Sequence, residues 1–163
     1  MKVFKNYIFP FNALVCLTGI FLVAYTMTIL GWKPCPMCLL QQLCVLCIFI
    51  LSILGWIKKS SKNFSIIVNI VIIAIIILGI YVAADQVYIQ YFQTVTTTAP
   101  GTCGGIDNPF LLDATKSITG TVESCTDITE KISGVSLAVY SLIFFISMLI
   151  INCISLLIRI LKK

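Results

Sequence analysis

Four apolar stretches, at approximately 8–30, 38–57, 65–84 and 135–158, constrain this chain more tightly than any other feature. Each is long enough to cross a hydrocarbon core about 30 Å thick, which takes about 20 helical residues. Inside lipid the backbone must satisfy its own hydrogen bonds, so each stretch is expected to be a helix. With 60% hydrophobic residues, 10% charged residues and a mean hydropathy of +1.08, a soluble domain is excluded. The expected fold is an all-α membrane protein, a four-transmembrane-helix bundle forming a single membrane domain over 1–163. A long outer loop is expected at approximately 85–133, too small to build a core without cross-links or support from the membrane. The first stretch is too long for a signal peptide and lacks a small-residue cleavage site, so it is expected to be retained.

The charges give an orientation. Lys2, Lys5, Lys58, Lys59, Lys62, Arg159, Lys162 and Lys163 fall on one side of the expected spans, against Lys33, Lys116 and Lys131 on the other. Basic residues collect on the cytoplasmic side, which puts both termini and the 58–62 turn there. The acidic residues Asp85, Asp107, Asp113, Glu123, Asp127 and Glu130 all fall outside. The net charge of +5 is thus a topological signal, and no nucleic-acid partner is needed to explain it. Tyr25, Trp32, Trp56, Tyr88 and Tyr91 sit near span ends, as interfacial aromatic belts do. Within the outer loop a short helix is expected around 109–117, and Phe110, Leu111 and Leu112 are placed to dip into the lipid interface.

The eight cysteines divide by depth. Cys35 and Cys38, in Cys35-Pro36-Met37-Cys38, stand at the outer mouth of the second span, where an oxidising compartment lets a disulfide persist. With Cys35 as cap, Pro36 takes the favoured first helical position and Cys38 falls in the first turn. The positive end of the helix and its unpaired N–H groups favour a thiolate there, and Lys33 adds to that field. Cys38 is therefore placed for chemistry; a merely structural bridge would close a loop too short to stabilise much.

Cys103 and Cys125 share the outer loop. A bridge between them would contribute on the order of 3 kcal/mol, so a structural disulfide is an alternative to a reactive one. The flank Pro100-Gly101-Thr102-Cys103-Gly104-Gly105 leaves Cys103 open to in-line attack by another protein's thiolate. Cys44 and Cys47 form a second CxxC inside the span, centred about 13 Å further along the helix than the first and so unable to share a metal with it. They are read, with Cys16 and Cys153, as small buried apolar residues. The chain has no histidine, which removes the commonest general base, metal ligand and haem ligand. Thiol redox chemistry needs none of these.

The run Pro34-Cys35-Pro36-Met37-Cys38-Leu39-Leu40-Gln41-Gln42 opening the second of four spans, followed by a cysteine pair in the second outer loop, resembles the disulfide bond formation protein B family of bacterial inner membranes. The likeness covers nearly the whole chain. The order of the pairs separates it from the vitamin K epoxide reductase type, which places its loop pair before its membrane CxxC. The resemblance implies a protein-dithiol:quinone oxidoreductase that sustains disulfide formation. A periplasmic thioredoxin-fold thiol oxidase, DsbA-like, would be reoxidised by attack on Cys103 of a Cys103–Cys125 disulfide. Electrons would then pass to Cys35–Cys38, with Cys35 exchanging with Cys125. In the family the second cysteine of the CxxC, here Cys38, makes a charge-transfer complex with a bound quinone, ubiquinone or menaquinone. No metal is implied, and the active cysteines would be periplasmic.

The sequence departs from the family at one position. An arginine usually stands four residues after the second cysteine, where this chain has Gln42. One helical turn from Cys38, Gln42 can face the same ligand and donate a hydrogen bond to a quinone carbonyl. It supplies no fixed charge, which leaves quinone affinity and redox poise open. Two other classes fit the same cysteines: a non-catalytic four-helix interaction protein with structural disulfides, and a membrane protein whose thiols bind Cu(I) or Zn(II).

Overall fold

A computed structural model of the protein describes residues 2–32, 35–58, 62–92, 113, 116–117, 131–132 and 134–161. Four helices, α1 (Lys2–Ile29), α2 (Pro36–Ile57), α3 (Lys62–Phe92) and α4 (Leu137–Leu161), are long and apolar enough to cross a membrane. This is the four-helix membrane architecture that the hydropathy of the chain requires. It carries one small addition to an all-α fold: β1 (Lys131–Ile132) pairs antiparallel with β2 (Val135–Ser136), Lys131 opposite Ser136 and Ile132 opposite Val135. Gly134, at φ 83°, supplies the left-handed residue of the turn that leads into α4.

The third helix runs on to Phe92, although its apolar stretch ends at Ala84. Val82, Gln86 and Ile89 are all buried and recur at helical spacing, so one face stays packed beyond Ala84 while Tyr88, Tyr91 and Phe92 point outward. Helix α1 stops where the Thr26 carbonyl accepts from both Leu30 and Trp32 N–H at 3.2 Å, with Gly31 at φ 65° turning the chain toward α2. In the outer segment Asp113, Lys116 and Ser117 are helical, and the Ser117 hydroxyl donates to the Asp113 carbonyl at 2.8 Å. Lys33, Pro34, Cys103 with its glycine-rich flank, residues 110–112 and Cys125 lie outside the described residues.

The helices form a ring in chain order, α1 against α2, α2 against α3 and α3 against α4, and the ring closes through a much thinner α1–α4 seam. Large apolar side chains such as Phe21, Ile57, Tyr81 and Leu157 point outward, as lipid permits. Within the ring, Phe9, Ile48, Ile72, Ile76, Phe145 and Met148 are buried in a common apolar core. Two glycines let rings approach the backbone of a neighbouring helix. A Cβ on Gly55 would stand 2.8 Å from the Phe9 ring, and one on Gly79 only 2.5 Å from that of Phe145.

A polar layer crosses the bundle at the end away from the Cys35–Cys38 turn. Asn12 of α1 donates to Asn152 of α4 at 2.7 Å, and Asn152 donates to the Met148 carbonyl at 2.8 Å. Asn69 of α3 donates to the Asn152 carbonyl at 3.5 Å. Arg159, buried, donates to the Ser65 hydroxyl and lies 4.8 Å from the centroid of the Phe9 ring. Such groups are costly in a membrane unless they face the bundle interior and meet one another, and these do both.

Candidate functional site

Cys35 is the N-cap of α2, with extended backbone at φ −75° and ψ 163°, and Pro36 opens the helix behind it. The residue has no hydroxyl or carboxylate to cap with. Its sulfur takes that role and accepts the Cys38 backbone N–H at 3.2 Å. The Cys35 carbonyl accepts from Leu39 N–H at 3.0 Å, the first bond of the helix. The Cys38 N–H, in the first turn, is therefore spent on the Cys35 sulfur.

A side chain from α3 reaches Cys38. Gln86, only 3% exposed, donates from Nε2 to Cys35 Sγ and to Cys38 Sγ, both at 3.3 Å. Its Oε1 accepts from Gln41 Nε2 at 2.7 Å. An amide has two N–H donors, so Gln86 gives one to each sulfur while its oxygen is held from α2. Met37, Val82 and Ile89 pack apolar surface around Cys35, with Cys38 at the edge of the cluster. In such surroundings a hydrogen bond is electrostatically stronger than in water.

Cys38 also borders a cavity of about 510 Å³ at the α1–α4 seam. Its walls are Gly19, Ile20 and Val23 of α1, Leu39 and Val45 of α2, and Ala138, Tyr140 and Phe144 of α4. Polar groups gather at the side where Cys38, Gln41, Gln42 and Gln86 line it. The Asn12–Asn152 pair fastens the same seam further along the bundle. An apolar chamber with a few convergent polar groups is the usual form of a small-molecule site.

The structure thus brings together Cys35, Cys38 and Gln42, and adds Gln41 and Gln86, which the sequence reading passed over. Gln41 had a usable signal, since it lies three residues beyond Cys38 on the same helix face. Gln86 did not stand out because the apolar stretch appeared to end before it. Of the remaining described cysteines, Cys16 and Cys44 are buried as expected. Cys47 is only half-buried, and Cys153 points outward from the bundle, contrary to its reading as a buried residue. On a membrane span the outward face is lipid-facing, where a small apolar side chain meets no penalty.

Fold and site together define a class: a multi-pass, four-helix membrane protein in which one cysteine caps a helix and a second, three residues on, faces an apolar chamber. The family model for disulfide bond formation protein DsbB matches residues 5–155, and the chain belongs to that family. Two curated relatives, each named disulfide bond formation protein B 1 and coming from Pseudomonas fluorescens strains Pf-5 and Pf0-1, are 30% identical over 83 residues, 51% of this chain. The match spans about half the length of those relatives, 48% in each case. No solved structure matches the chain.

Proposed function

We propose that this protein reoxidises a periplasmic thioredoxin-fold thiol oxidase and passes the electrons, through two cysteine pairs, to a quinone in the bilayer. The observation that carries the reading is the position of Cys38 on the wall of the apolar cavity, with Cys35 packed behind it and amide donors beside both.

The residues of the cavity suit a quinone. Phe144 and Tyr140 offer aromatic surface for a flat ring, the aliphatic lining suits an isoprenoid tail, and Gln41 and Gln42 carry amides able to meet carbonyl oxygens. The thin α1–α4 seam supports entry from the side, directly out of lipid. A bound quinone supplies a sink for two electrons and two protons. Cys38 would face it, and Gln42 would orient its polar edge.

The exchange steps balance as thiol–disulfide reactions. A thiolate of the partner oxidase attacks Cys103 and breaks the Cys103–Cys125 bond; the partner's second thiol then displaces Cys103 and leaves with the new disulfide. Cys125 attacks Cys35, breaking the Cys35–Cys38 bond, and Cys103 closes the outer disulfide again. Cys35 and Cys38 return to a disulfide as they give up two electrons and two protons. Attack of this kind needs a thiolate in line with the sulfur–sulfur axis. Gln86, donating to both sulfurs, supports either one as leaving group.

The whole chain over 1–163 acts in this reading as one membrane unit in the bacterial inner membrane. Both termini and the basic turn after α2 are cytoplasmic, and the four reactive cysteines are periplasmic.

Replacing the second active-site cysteine of the partner oxidase by Ala tests the partner and the outer pair together. Without that resolving thiol, the mixed disulfide formed when the partner's remaining thiolate opens the Cys103–Cys125 bond accumulates, visible on non-reducing gels as a higher-mass species that reductant removes and that Cys103→Ala abolishes. Its absence, with both proteins expressed, contradicts the assignment of Cys103.

A further inference from the structure

We propose that Gln86 stabilises the reduced state of the Cys35–Cys38 pair and so makes that pair a stronger oxidant, with Gln41 as the positioning residue that aims its amide. The inference rests on the reading of Cys35 and Cys38 as a redox pair and adds to it the device that sets its potential.

The geometry assigns the role. When the disulfide opens, two electrons and one proton enter from the incoming dithiol: one sulfur takes the proton, the other carries negative charge, and the dithiol's second proton goes to water. That charge appears beside a helix end whose nearest donor, the Cys38 N–H, already points at Cys35. Cys38 receives a hydrogen bond from Gln86, at 3.3 Å, and the same amide reaches Cys35 at an equal distance. The donor serves whichever sulfur holds the charge. Hydrogen bonds to an ionised acceptor are roughly twice as strong as neutral ones, so Gln86 stabilises the reduced form more than the disulfide.

Gln41 makes this arrangement one-directional. A glutamine amide presents a donor and an acceptor end, and rotation by half a turn would set an oxygen against the sulfurs. Gln41 Nε2 occupies the Gln86 oxygen at 2.7 Å, which leaves the nitrogen facing Cys35 and Cys38. Both amides are buried, and Gln86 comes from a different helix, so the register of α2 against α3 is part of the device. Where a fixed positive charge is absent at Gln42, two neutral amides in series supply directed stabilisation.

The test is the redox equilibrium of Cys35–Cys38 in the full-length protein. Purified protein is equilibrated in dithiothreitol buffers of graded redox ratio without quinone or partner, alkylated, and the peptide holding both cysteines is quantified by mass. Gln86→Leu shifts the equilibrium about tenfold toward the disulfide, a potential lower by ~30 mV. Gln86→Glu shifts it further the same way, because a carboxylate accepts rather than donates and repels a thiolate. Gln41→Leu shifts it severalfold in that direction.

A wild-type equilibrium in a folded Gln86→Leu protein overturns the proposal. Should that variant fail to fold, Gln41→Leu decides, since it leaves Gln86 in place without its orienting partner, and a wild-type equilibrium there overturns the proposal equally. Quinone turnover by the wild type is recorded separately. Absent turnover alongside the expected shifts counts against the quinone reading and leaves the role of Gln86 standing.

Discussion

Among the described residues, two buried polar layers differ in what their hydrogen bonds reach. The layer beside the Cys35–Cys38 turn gathers Gln41, Gln86 and two sulfurs next to a cavity, and its hydrogen bonds lead to the sulfurs proposed here to carry the redox chemistry. The layer at the other end gathers Asn12, Asn69, Asn152, Ser65 and Arg159, and its bonds join helices to one another. Between them lies an apolar core containing Ile48, Ile72, Ile76 and Phe145. Amides that look alike in sequence thus do different work. The difference is where the amide chain ends: in one layer on two sulfurs beside open space, in the other on amides, a carbonyl and a hydroxyl of neighbouring helices.

The largest expected effect separates the reactive cysteines from the rest. Cys38→Ala abolishes quinone reduction, whereas changing Cys16, Cys44, Cys47 and Cys153 together to Ala leaves turnover largely intact, measured on purified protein. Loss of turnover in single Cys47 or Cys153 variants that express normally would extend the reactive layer to thiols here read as packing.

The second layer gives a smaller effect of another kind. Asn152→Leu removes the acceptor for Asn12 and the side-chain amide that bonds the Met148 carbonyl one turn back in α4. It is expected to cost about 1–2 kcal/mol in unfolding measured in detergent, while the quinone KM stays unchanged. A raised KM with normal stability would mean that the two layers are coupled and the comparison fails.

The smallest effect sharpens the boundary of the site. Gln42→Arg, with its charge directed into the cavity, tightens quinone binding severalfold, and Gln42→Leu weakens it by removing a donor from a desolvated wall. A quinone titration of both variants checks this, and unchanged affinity in both would remove Gln42 from the ligand's polar contacts.

Much of the fold was legible because lipid leaves the backbone few choices: an apolar run of spanning length must be a helix. The cap at Cys35 was legible too, from Pro36 one residue later. What stayed hidden depends on which face of a helix is packed. The extension of α3 through Gln86 to Phe92 follows a buried stripe after the average hydropathy has fallen, and Gln86 was therefore assigned to the loop. The sequence placed helix-end stabilisation at Cys38, yet the amide itself bonds Cys35, because a cap's side chain folds back over the first turn. Asn12, Asn69 and Asn152 were passed over inside apolar stretches, although a lone amide in a membrane span is a signal that it has a partner.

The most direct measurement is anaerobic mixing of the purified protein with a reduced thioredoxin-fold oxidase and a soluble quinone, with quinone absorbance followed over time. The expected result is one quinone reduced for each oxidase dithiol converted to disulfide, and none when Cys38 is replaced by Ala. Wild-type protein that reduces no quinone, or a Cys38→Ala protein that reduces it as fast as wild type, would contradict the passage of electrons through Cys38 into the α1–α4 cavity.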